Sequence, residues 1–436
     1  MKKLHNGHPF SALFLLPVFI CAMFSSCSPP AGETPAGESA PVTVEQMEEF
    51  YGMPVVTVLM DTPALSGHGR LTKTLERLPG YNRDFMVHVE SLPYDGADRT
   101  NAETRVRTEM MAGKGPDLFL CGSNFTGYWG DDFNSVPFFR FPQQAMNNQL
   151  LLPLDDYIEN AGYMEWDKLL PVAMEAGRGK EGQMILPLAY SVGLAAFDKE
   201  AYTPPISLPC TWDEMLESND PSILLAAGDT LAYVLGPIAD YERDTLLLSE
   251  EEMLAYAKKQ HAMWHPSSAD EIESLPGQFF CQMSRTGLDP LPMGKNAPEY
   301  WMIPTYNRQG GITAWVSVYA AINRNARYPD QAFKIIDYLL GEAAQTRGPV
   351  YTELFEGYPV YMGLGSEEAP LDGRWYMNQG NFQEYQKIVS QINQVIFPGP
   401  LEKTLHLMGG AHLSEKQLEK NVHESYTLIQ MMLAES

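Results

Sequence analysis

The chain has no basic run, no internal repeat, no CxxC pair and, beyond its first 26 residues, no apolar stretch long enough to span a bilayer. Positive charge is scarce: 30 Lys and Arg stand against 55 Asp and Glu, a formal net charge of −25. That balance gives the chain no attraction for nucleic acid or for an anionic lipid surface. Cysteine is scarce too. Cys21 and Cys27 lie in the N-terminal segment, which leaves Cys121, Cys210 and Cys281. Three thiols allow at most one internal disulfide and match no zinc spacing, so neither disulfides nor zinc build this fold. An apolar core must hold it, and a hydrophobic content of 44% is ample for one.

Catalytic signatures are equally sparse. No GxSxG, HExxH, Walker A or EF-hand pattern occurs. Gly177 to Gly182 spells GxGxxG, but a strand-like run, Gln183 to Leu188, follows it. A dinucleotide loop needs the reverse order, strand first and helix after, so that phosphate meets a helix N-terminus. His261 and His265 have the spacing of a metal pair, but no third ligand stands near them in sequence. The pairs Asp131-Asp132 and Asp155-Asp156 are adjacent, and adjacent side chains point apart. No cofactor and no metal is expected. Hydrolysis of a glycoside stays open, because its two carboxylates carry no sequence signature.

What is present begins at the N-terminus. Met1-Lys2-Lys3 precedes an apolar stretch from Phe10 to Phe24, interrupted by Pro17. This is the length of a signal h-region and too short to span a membrane comfortably. Phe24-Ser25-Ser26-Cys27 resembles the lipobox of bacterial lipoproteins, with Phe24 where the family has Leu and Ser26 where it has Gly or Ala. The resemblance implies a signal peptide over 1–26 and acylation of Cys27. Residues 28–41, rich in Pro, Gly, Ser and Glu, have almost nothing to bury. A flexible tether over 27–52 is therefore expected, with the body beginning at Met53.

Within the body, Pro54–Met60, Phe85–Glu90 and Asp117–Gly122 read as short buried strands, with a helix over Thr104–Ala112 between the last two. That alternation indicates parallel α/β architecture. Thr211-Trp-Asp-Glu214 and Ser249-Glu-Glu-Glu252 are capping boxes that open helices, the second running to about Trp264. Apolar stripes mark helices over Gln331–Leu340, over Phe382, Tyr385, Val389, Ile392 and Ile396, and over Leu418, Val422, Ile429 and Met432.

Five segments then match one family in order. They are Met111-Ala-Gly-Lys-Gly-Pro-Asp117, Leu150-Leu-Leu-Pro-Leu-Asp-Asp-Tyr157, Gly182–Pro187 running on to Phe197-Asp-Lys-Glu-Ala-Tyr202, Pro209-Cys-Thr-Trp-Asp-Glu214, and Ala320-Ala-Ile-Asn323 with Pro329-Asp-Gln-Ala332. Together they resemble the extracellular solute-binding proteins of ABC importers, particularly the sugar-binding group related to maltose-binding protein. Phe197-Asp198 departs from the family's usual Tyr-Asn. The resemblance implies an α/β, two-lobed periplasmic-binding-protein-like fold with a ligand cleft between lobes joined by crossover strands. It places crossovers near Ala189–Leu194, Thr313–Val318 and Pro359–Gly363. Lobe one is then 53–188 plus 318–358, and lobe two 189–317 plus 359–436.

The resemblance also implies the function: capture of a small ligand, a mono- or oligosaccharide, for an ABC permease, with no enzymatic step. The protein is expected to be a monomer, held by the lipid on Cys27 at the outer face of the membrane. Sugar sites set aromatic rings against the C–H faces of pyranoses and bond the hydroxyls with amides or carboxylates. By position in the resemblance, the candidates are Trp315, Tyr190, Ser191, Asn124 and Asp61, with Trp301, Tyr306 and Trp375 as further platforms. A peptide or polyamine ligand, a lipid-anchored glycoside hydrolase, and a sensor lipoprotein without an importer remain as alternatives.

Overall fold

The fold turns on one long strand. In the computed structural model, which describes residues 43–61, 68–93, 96–122, 137–228, 231–263, 278–282, 298–346, 357–363, 378–408 and 413–435, fourteen strands are numbered in chain order. They are β1 (Val55–Asp61), β2 (Met86–Ser91), β3 (Leu118–Gly122), β4 (Arg178–Gly179), β5 (Gly182–Gln183), β6 (Ile185–Ser191) and β7 (Gly193–Asp198) in the first half. The second half holds β8 (Ala239–Asp240), β9 (Thr245–Leu246), β10 (Gln278–Gln282), β11 (Tyr300–Pro304), β12 (Ile312–Ile322), β13 (Tyr358–Pro359) and β14 (Ile392–Ile396).

The main sheet runs β13-β6-β12-β3-β1-β2, with β14 beside the first half of β12. The pairs β1–β2 and β1–β3 are parallel, whereas β12 is antiparallel to both β3 and β6. Alternation along the strands divides the core. Val56, Val58, Met60, Leu118 and Leu120 face one side, while Leu59, Phe119 and Cys121 face the other with Phe138, Phe139, Tyr319 and Phe397. Asp117, buried just before β3, ties the sheet to the turn after β12. It accepts from the Thr57 N–H and hydroxyl, both at 2.8 Å, and from the Arg327 and Tyr328 N–H groups at 2.6 and 3.2 Å.

A second, antiparallel sheet runs β10-β7-β11. The chain leaves the main sheet at the end of β6 and enters this one at β7 with only the buried Val192 between. It returns over 305–311, from β11 to β12. Asn307 shapes that return: its side-chain oxygen accepts from the N–H groups of Gln309 and Gly311, and its amide donates to Thr313 and to Asn393. Gly310 takes a positive φ of 77°, and a Cβ on Gly311 would collide with the Asn393 side chain. The two glycines thus admit a neighbouring side chain at the turn.

Several expectations need correction. The folded body takes in a helix over Val44–Tyr51, within the stretch expected to be tether, and Glu48 on it pairs with Arg327 at 2.8 Å. The helix before β3 spans Gly96–Met111 and begins well before Thr104, because its polar first turns are held by charge rather than by an apolar stripe. The stripe from Phe382 to Ile396 is not one helix: it stops at Gln391, and Ile392–Ile396 is β14, drawn into the main sheet by pairing with β12. The third expected crossover is still on the main sheet at β13 and at the Tyr361–Leu169 bridge, so the chain leaves that sheet after Tyr361. By the helix Gln379–Gln391 it packs on β11 of the second sheet.

Other readings are confirmed. The GxGxxG stretch is the β4–β5 hairpin. Both capping boxes form, with the side chains of Thr211 and Ser249 receiving the N–H groups of Glu214 and Glu252. Cys121 and Cys210 are buried free thiols. No described helix is long and apolar enough to cross a membrane.

Candidate functional site

The carboxyl ends of β1 and β3 point to the same end of the main sheet, and a charge ladder begins there. Asp61, the last residue of β1, is 2% exposed. Its two oxygens accept from Arg99 at 2.9 and 3.1 Å, and one also accepts the Phe138 N–H at 2.7 Å. Arg99 continues to Glu103 at 2.8 Å, and Glu103 to Arg107 at 3.2 Å. A buried carboxylate left without its cation would be costly, so the ladder is held as a unit. Its effect is to pin the segment from Phe138 to Phe141 over the sheet.

That segment forms one wall of a cavity of about 570 Å³, within the usual range for ligand pockets. Arg107, Phe138, Phe139, Arg140, Phe141 and Gln144 line this side. Pro400, Met432 and Glu435 line the other, from the helices Pro400–Met408 and Glu415–Ala434. Those two helices pack on each other and on Leu231–Leu235 and Glu250–Met263. The cavity therefore lies between elements of the main-sheet body and helices outside it. Beside it the two sides touch: Gln144 donates to Asp244, Asn147 donates to the Tyr241 carbonyl, and the Phe141 and Tyr241 rings meet at 5.8 Å.

Beneath the Pro400 wall sits a buried carboxyl, Glu402. Burial holds it up at about 7, against an ordinary 4.5, and outweighs the Gly399 N–H that donates to it at 2.8 Å. Burial first, and Glu402 next, push the Tyr241 hydroxyl well above its ordinary value.

The residues singled out from sequence fall elsewhere. Tyr190 and Ser191, both buried, end β6 at the passage to the second sheet. The Tyr190 ring lies 5.9 Å from Tyr358, and Tyr358 lies 4.8 Å from Tyr385. The Tyr190 and Tyr385 hydroxyls are 3.3 Å apart, and burial pushes Tyr385 up to about 12. Trp315, on β12, is 5% exposed and stacks on Tyr233 at 4.0 Å with the planes 13° apart. These aromatics form a cluster where the chain changes sheets. Trp301 is partly buried on β11, its indole N–H donates to the Tyr202 carbonyl, and Lys199 lies 4.9 Å over its ring. Tyr306 is buried in the return turn, and burial raises its hydroxyl. Asp61 is committed to Arg99 and Phe138, as above. Asn124, Trp375 and Cys27 lie outside the described residues.

Among the described residues, none of the sequence candidates lines the 570 Å³ cavity. Sequence reasoning passes over its aromatic wall, although Phe138-Phe139-Arg140-Phe141 is a dense aromatic and cationic run shortly after β3. That run is the available signal.

No family model matches the chain, and no curated protein does. Solved structures do match, along nearly their whole length. A family 1 extracellular solute-binding protein from Alicyclobacillus acidocaldarius has a TM-score of 0.54 at 13% identity, covering 87% of this chain and 99% of that one. A cyclic α-maltosyl-1,6-maltose binding protein from Arthrobacter globiformis has a TM-score of 0.52 at 14% identity, covering 88% of this chain and 100% of that one. A de novo designed cysteine esterase has a TM-score of 0.51 at 12% identity, covering 88% and 98%. At such identities the likeness establishes the fold, that of the two-lobed solute-binding proteins. It does not separate binding from catalysis.

Glu402 makes stability depend on pH. Its folded value of about 7 exceeds the unfolded value, so the fold favours the protonated acid. That contribution is whole below the unfolded value and is lost as pH rises through the folded one. Glu402→Gln, neutral at every pH, should match the parent in urea unfolding near pH 4 and exceed it by up to about 3 kcal/mol above pH 8. The same difference at both pH values would mean that Glu402 ionises normally.

Proposed function

We propose that the protein is an extracellular solute-binding protein that closes two lobes on a mono- or oligosaccharide and delivers it to an ABC permease. One observation carries this reading: the cavity draws one wall from the main-sheet body and the other from helices outside it. A ligand bound there touches both walls only when they approach, so binding favours the closed arrangement. The chemistry suits a sugar, with phenyl faces for C–H groups and the Gln144 and Asn148 side chains for hydroxyls. The Arthrobacter neighbour, a binder of cyclic α-maltosyl-1,6-maltose, points the same way. Lobe one is then about 53–188 plus 318–358, extended by the helix Val44–Tyr51, and lobe two about 189–317 plus 359–436. The protein acts as a monomer, held outside the cell by lipid on Cys27.

Glycoside hydrolysis is the second reading, and Glu402 is the observation in its favour. A carboxyl near 7 has the protonation of a general acid, and Glu435 is a second carboxyl at the same cavity. Turnover of a chromogenic glycoside that is abolished in Glu402→Gln would establish it over transport.

The aromatic cluster at the crossovers is the second contact surface of the proposed site. Trp315→Ala should weaken saccharide binding by about 2 kcal/mol, the range for a buried aromatic anchor. Trp315→Phe, which keeps a ring against Tyr233, should be milder. Calorimetry on the folded variants decides: parental affinity in Trp315→Ala would restrict the indole to packing on Tyr233. For the anchor, Cys27→Ala should move the protein from the detergent phase to the aqueous phase without changing its thermal unfolding. Equal partitioning of parent and variant would exclude acylation there.

A further inference from the structure

The cavity carries positive charge on one wall, in a chain whose net charge is −25. The Arg140 side chain is exposed and has no hydrogen bond or ion pair with any described residue. Arg107, on the same wall, is half-committed: it donates to the Phe138 carbonyl at 2.9 Å and meets Glu103 at 3.2 Å. Glu103 in turn is shared with Arg99, which already holds Asp61. Along this ladder the charges alternate Asp61, Arg99, Glu103, Arg107 and cancel, so Arg140 adds an uncompensated cation to the wall. The guanidinium of Arg107 also lies 5.2 Å over the Phe138 ring, which holds it flat beside the aromatic surface. Glu435 stands on the opposite wall, and Glu402 behind it is largely protonated below neutral pH.

We infer that the preferred ligand is an anionic saccharide, one whose carboxylate is received by Arg140 with Arg107 beside it while its ring lies on the phenylalanines. Guanidinium groups bond carboxylate and phosphate in a planar, charge-assisted geometry that a neutral hydroxyl does not reproduce. The same wall repels a polyamine. This inference rests on the cavity being the saccharide site.

The test is calorimetry on the full chain with four probes: digalacturonate, glucuronate, glucose 6-phosphate and maltose. The expected result is tighter binding of a uronate than of maltose, weakened by added salt. Arg140→Met should then lose about ten-fold in uronate affinity, the scale of one charge-assisted hydrogen bond, with thermal stability and any maltose affinity unchanged. Binding of glucose 6-phosphate alone would overturn the carboxylate assignment in favour of phosphate. Maltose binding at least as tight as that of the uronates, with Arg140→Met at parental affinity, would overturn the inference and leave the saccharide-binding function standing. No heat with any probe, charged or neutral, would overturn both.

Discussion

Strand β12 must satisfy different neighbours along its length, and the rest of the architecture follows from that demand. Over Val318–Ile322 it bonds β3, over Val316–Ala321 it bonds β6, and over Ile312–Trp315 it bonds β14. A strand buried on both edges and both faces can carry no charge, and none occurs from Ile312 to Ile322. Its first residues lie where the chain returns from the second sheet, so the strand that organises the main sheet also marks the junction between the two bodies. Register irregularities at Thr313 and around Ser317 fall in that same stretch. A two-lobed trap needs its joint to be firm at the sheet and compliant beyond it, and β12 supplies the firm side.

Electrostatics arrange the face above the sheet. A chain this acidic could spread its few cations evenly over the surface. Three of them instead follow the helix Gly96–Met111, with Arg99 buried against Asp61, Arg107 at the cavity and Arg105 between them reaching Glu90 and Glu109. The buried Asp61–Arg99 pair contributes geometry more than stability, because desolvation offsets most of its attraction. What it secures is the position of Phe138, and through Phe138 the aromatic wall with Arg140. Asp61 thus acts on the cavity through the segment it holds.

Much of the main sheet is legible in the sequence. β1, β2 and β3 are short uncharged runs closed by polar residues, and the two capping boxes open helices where Thr211 and Ser249 stand. Such signals are local, so a window of a few residues contains them. Segments decided from far away are the ones that local reading misses. Ile392–Ile396 keeps a helical apolar spacing but becomes β14 because β12 offers it a free edge. The polar start of the helix at Gly96 is held by charge partners. The cavity wall is the least legible part, since the Phe138 N–H meets Asp61 across 77 residues of sequence. Aromatic residues chosen by resemblance fall instead at the crossovers, where Tyr190, Tyr358 and Tyr385 gather.

Capture of a ligand in this way depends on the two lobes moving against each other when the cavity fills. Nitroxide labels at Glu159 and Glu251, both exposed and on helices of the two proposed lobes, report that motion directly. Pulsed electron spin resonance should show the distance distribution shortening and narrowing as saccharide is added to saturation. A distribution unchanged at saturation would contradict the trap and leave a rigid protein with a pocket.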